Sequence, residues 1–151
     1  MLALLGSLMF TPASAVDVEV RYEGLSMTYR VDAGDVIEHI WEEVPPHDGR
    51  GPQKRWPDLR VRVTAEESAG GLLVTVGLDE LHGDEVVRQA WPTLIVSEEA
   101  PRAHFSVASN VPVRTHQDGQ TVVRFARQAK LEVDVFPEGE RGDQVVEPDD
   151  V

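Results

Sequence analysis

From Leu59 to Val107, apolar side chains recur at every second position between short polar breaks. Leu59, Val61 and Val63 alternate with Arg60, Arg62 and Thr64; Leu72, Val74, Val76 and Leu78 alternate with Leu73, Thr75, Gly77 and Asp79. A period of two lets a strand bury one face and wet the other. The breaks at Glu66–Gly71 and His82–Asp84 carry turn residues, so the pattern predicts consecutive antiparallel strands. The same alternation starts at Val16. Val16, Val18, Val20 and Tyr22 precede Glu23-Gly24, and Met27, Tyr29 and Val31 follow, as in a hairpin with a tight turn.

Between 36 and 44 two periods compete. Val36, Ile37, Ile40, Trp41 and Val44 suit a two-turn helix opened by Asp35 and Glu38, and they also suit a strand with apolar residues on both faces. The strand is preferred, because an isolated helix of two turns is marginal and every neighbour is a strand. Further strands are predicted at 86–90, 93–96, 103–107, 121–125 and 131–135, with 110–119 as a polar, turn-rich break. The expected fold is all-β: seven to nine short, mainly antiparallel strands over residues 16–137, in a β-sandwich or an open barrel. Residues 138–151 crowd Glu138, Glu140, Asp143, Glu147, Asp149 and Asp150 around few apolar side chains, and are expected to form a disordered acidic tail.

Composition narrows the class. The 151 residues suffice for one domain, and the absence of cysteine excludes disulfides, thiol nucleophiles and a lipidated N-terminal cysteine. A net charge of −13 argues against nucleic acid and anionic lipid as partners, and permits a cationic one. Residues 1–15 are uncharged: Leu2–Phe10 is apolar, Thr11-Pro12 breaks it, and Ala13-Ser14-Ala15 offers a small-x-small cleavage site. These are the parts of a signal peptide, short of a membrane span and lacking only the basic start. The alternative is a buried N-terminal segment. The signal reading places the mature chain in the periplasm or outside the cell, beginning at Val16.

Candidate chemistry is sparse. The irregular stretch 45–57, PPHDGRGPQKRWP, gathers Arg50, Lys54 and Arg55 beside Trp56. Loops on a rigid sheet carry recognition, and Trp with Arg makes a protein-binding anchor, although such a tryptophan also packs as a cover over a sheet edge. The five histidines show no metal-ligand spacing; convergence of His82, His104 and His116 in the fold is the alternative reading, as a metal-handling protein. G-x-S-x-G, S-x-x-K, a calcium loop and a phosphate loop are absent. No cofactor is expected, and a site assembled only by folding is what catalysis would require.

Pro92-Thr93-Leu94-Ile95-Val96, a short acidic turn, and Ala103-His104-Phe105-Ser106-Val107 resemble the strand-turn-strand that opens the pore domain of bacterial secretins, and similar segments of small periplasmic proteins. Ala100-Pro101-Arg102 stands where the family has a glycine-bearing turn. The resemblance implies an envelope β-module. The long amphipathic strand pairs of a membrane barrel are not expected here. Together these readings predict a non-catalytic, exported β-domain that binds another envelope or secreted protein.

Overall fold

The alternation becomes nine strands in a computed structural model that describes residues 15–42, 58–142 and 144–151. They are β1 (Val16–Tyr22), β2 (Leu25–Val31), β3 (Val36–Trp41), β4 (Asp58–Ser68), β5 (Gly71–His82), β6 (Glu85–Ala90), β7 (Thr93–Val96), β8 (Ala103–Gln117) and β9 (Gln120–Pro137). Two antiparallel sheets result. One has the order β2-β1-β9-β8; the other has β3-β4-β5-β6, with β7 also pairing β5. The sheets pack as a sandwich.

The core holds the residues that the period of two selects. Val18, Val20, Tyr29, Val31, Val133 and Val135 of the first sheet are fully enclosed with Ile37, Val61, Val63, Val74, Val76 and Leu78 of the second. Each such side chain contributes about 1.5–3 kcal/mol by leaving water. Residues 36–41 form a strand, with Ile37 and Trp41 inward, while Val36 and Ile40 point outward to solvent. The second apolar face of this strand is therefore bare. Inside the sandwich, Trp41 Nε1 donates to Tyr29 Oη at 2.6 Å, and Tyr29 Oη lies 2.9 Å from His39 Nδ1. Burial pushes the Tyr29 phenol up and holds His39 below its ordinary value.

β6 and β7 divide one edge of β5 between them. β7 pairs with Leu72–Thr75, and β6 with Leu78–His82. The step between them falls at Trp91-Pro92, where Val76 N donates to Pro92 O at 3.0 Å. From Val96 the chain crosses to the other sheet, so segment 92–107 is a sheet-to-sheet connection rather than a hairpin.

Three expectations are corrected. The break at 110–119 and the short strands around it are replaced by one long hairpin, with β8 of 15 and β9 of 18 residues turning at Asp118-Gly119. Both turn residues have positive φ, +52° and +75°, matching the turn that suits strand twist. Pro112 lacks an N–H, and the strands absorb it by a register shift between Val111 and Pro112 instead of ending there. Asp79, which the alternation assigns to the wet face, and its neighbour Glu80 lie within β5, each almost wholly buried. Finally, the tail is not seen as a disordered segment. Val146 bridges Tyr29 in parallel, Arg30 N donates to Val146 O (2.9 Å) and Val146 N donates to Thr28 O (2.8 Å). Gly139 N donates to the buried carboxylate of Asp17, which also binds Arg30 through Nε and Nη2. The acidic count hid one half-buried valine and an unsaturated β2 edge, which together hold the segment.

Candidate interaction surface

The outer faces of the two sheets differ in kind. On the β2-β1-β9-β8 face, charges neutralise one another: Arg21 binds Glu19, Glu132 (3.0 Å) and Asp134 (2.6 Å), His104 Nδ1 lies 2.6 Å from Asp134 Oδ1, and Lys130 lies 2.6 Å from Glu132. Lys130 and Arg21 hold the Glu132 carboxyl below its ordinary value. Among the described side chains, that face is polar and its charges are paired.

The five-stranded face is built in transverse rows set by register. One row runs Val36, Thr64, Thr75, Thr93, with the last two hydroxyls 3.0 Å apart. The next runs Glu38, Arg62, Gly77. The third runs Ile40, Arg60, Asp79, Arg88. Trp91, at the β6–β7 step, lies on Gly77: a methyl group there would stand 2.5–2.7 Å from three ring atoms. Three nearly equal distances mean that the ring lies over this position with its face. Only glycine leaves that room, and the indole remains 39% exposed. The Arg88 guanidinium carbon sits 4.1 Å from the ring centroid.

Arg60 donates to Asp79 Oδ2 through Nη2 (2.7 Å) and Nε (3.2 Å), which raises the guanidinium pKa further. Asp79 Oδ1 is buried without a hydrogen bond; Arg88 Nε is 3.6 Å away, beyond bonding range. A buried carboxylate oxygen without a hydrogen bond costs stability, which the ion pair with Arg88 offsets in part. Arg62 is exposed and makes no ion pair with any described residue. Beside it an open groove of about 320 Å³ is lined by Gly34, Asp35, Val36, Arg62, Thr64 and Trp91. Among described residues, Val36, Ile40, Val86, Trp91 and Ile95, the large apolar side chains most exposed within strands or at their step, all lie on this face.

No family model matches the chain, and no curated protein or solved structure is found to be similar to it.

Arg50, Lys54, Arg55 and Trp56 lie outside the described residues; the segment that holds them leaves the end of β3 and rejoins the start of β4. The three histidines are not brought together. His104 and His116 are twelve positions apart on the single strand β8, roughly 40 Å at 3.3 Å per residue. His82 closes β5 in the other sheet. No cluster of three metal-ligating side chains exists among described residues. Sequence reasoning passed over Trp91, Arg62 and Asp79. The available signal was the pair Gly77 and Trp91-Pro92: a glycine in mid-strand marks a close approach, and a proline after tryptophan marks a step.

Proposed function

We propose that this chain is an exported, envelope-associated module that binds another protein through the outer face of its five-stranded sheet, acting by recognition rather than by chemistry. The observation that carries the reading is the meeting, on one face, of a half-exposed tryptophan seated on glycine, exposed apolar side chains and an exposed arginine that has no ion pair among the described residues. Aromatic and arginine anchors beside an apolar patch are what concentrates binding energy in protein interfaces. The chemistry favours a partner segment that lays apolar side chains over Val36 and Ile95 and offers a carboxylate to Arg62. Export is supported by the apolar, cleavable pattern of residues 1–15. No described helix is long and apolar enough to cross a membrane.

The test places a photo-crosslinking residue at Thr75 on the five-stranded face and, separately, at Ser106 on the opposite face, in cells of the source type. A discrete adduct from Thr75 that is lost with Arg62→Glu, and none from Ser106, is expected. Equal labelling from both faces would refute the assignment, and mass spectrometry showing an N-terminus other than Val16 in the exported fraction would refute the signal reading.

A further inference from the structure

The long hairpin outgrows its sandwich. β9 pairs with β1 only over Leu131–Pro137, and β8 pairs with β9 alone; beyond Ala108 and Lys130, which face each other, no third strand joins the pair among the described residues. Nine residues of β8 and ten of β9 at about 3.3 Å each, closed by the turn, make a two-stranded ribbon on the order of 33 Å long. A two-stranded hairpin by itself is at best marginally stable in water. Its sequence is not that of a solvated spacer: residues 109–129 include Val111, Val113, Val122, Val123 and Phe125. They also carry Arg114, Arg124 and Arg127 against Asp118 alone, a net of +2. The remaining eleven basic and 26 acidic residues leave the rest of the chain at −15. A basic, apolar ribbon thus belongs to an otherwise acidic chain.

We propose that this ribbon is an exchange arm, which docks across the acidic sandwich of a second copy of the chain to form a two-fold dimer. Charge complementarity selects that occupant, since every copy presents a body of opposite sign to the arm. The area also suffices. A ribbon about 33 Å long and roughly 10 Å wide covers some 330 Å² of arm and as much of body, so two exchanged arms bury about 1,300 Å², within the range of a stable interface. The same body charge opposes binding to nucleic acid or anionic lipid. The proposal is independent of the partner face described above, and both can operate in one assembly.

Sedimentation of the full chain tests it. At low ionic strength the chain should be dimeric at micromolar concentration, and raising salt from about 0.05 to 0.5 M should weaken association about tenfold or more, because the arm–body attraction is screened. The triple variant Arg114→Glu, Arg124→Glu, Arg127→Glu should be monomeric with an unchanged circular dichroism spectrum. A second variant, replacing residues 109–129 by Asn-Gly so that Ala108 and Lys130 close a tight turn, should also be monomeric while keeping the sandwich. A wild-type chain that stays monomeric at low salt overturns the proposal. So does a trimmed variant that dimerises like the parent, or a monomer whose arm instead binds phosphatidylglycerol vesicles or a single-stranded oligonucleotide.

Discussion

Gly77→Ala tests whether the glycine exists to seat Trp91. The added methyl would stand 2.5–2.7 Å from ring atoms that need about 3.5–4 Å, so the indole must lift by an ångström or more. A fully enclosed tryptophan buries up to about 250 Å²; with 39% still exposed, roughly three-fifths of this, near 150 Å², is at stake. At about 25 cal/mol per Å² complete eviction costs at most about 4 kcal/mol, and a ring lifted halfway about 2 kcal/mol. Alanine returns about 0.5 kcal/mol by restricting the unfolded chain. The net loss is about 1.5 kcal/mol, a fall in Tm of about 3–6 °C for a chain of this size. In a Trp91→Ala background the clash is gone, so the same substitution should be neutral or slightly stabilising. Thermal melts of the four proteins close the double-mutant cycle, with an expected coupling of about 2 kcal/mol. If Gly77→Ala costs the same with and without the indole, the ring does not rest there, and the anchor is misassigned.

Tyr29→Phe strips the acceptor from Trp41 Nε1 in the core and should cost about 1–3 kcal/mol in urea unfolding. Deleting residues 138–151 removes the bonds to Thr28, Arg30 and Asp17; after the tail's ordering entropy is subtracted it should cost about 2 kcal/mol and abolish hydrogen-exchange protection at the Arg30 amide. His39 has its pKa held below 6.5 by burial, so the unfolded chain binds the extra proton: stability should fall as pH drops through 6.5 and level off below the folded pKa, and His39→Gln should flatten that limb of the Tm profile.

The strands were legible because register and burial share one period. Leu131, Val133 and Val135 inward with Glu132 and Asp134 outward is the arrangement that the alternation predicts. What escaped was set by contacts distant in sequence. Asn110-Val111-Pro112 reads locally as a break, and continues as strand because β9 tolerates a bulge opposite it. Val146 reads as an isolated apolar residue in an acidic run until the open β2 edge is placed beside it. The site was hidden for a related reason: Trp91 falls between two strands, and its partner Gly77 is marked only by the absence of a side chain.

The pairing of β1 with β9 joins the first strand of the domain to the last, with Val16 beside Pro137 and Tyr22 beside Leu131. A growing chain can form the β4–β5 hairpin early, but β1 and β2 have no inner neighbour until residue 131 and beyond have been made. Closure of the sandwich therefore waits for nearly the whole polypeptide, and such long-range pairing is slow. During that interval the two ends of the sheet stay open, and the domain locks only once β1 and β9 are both present.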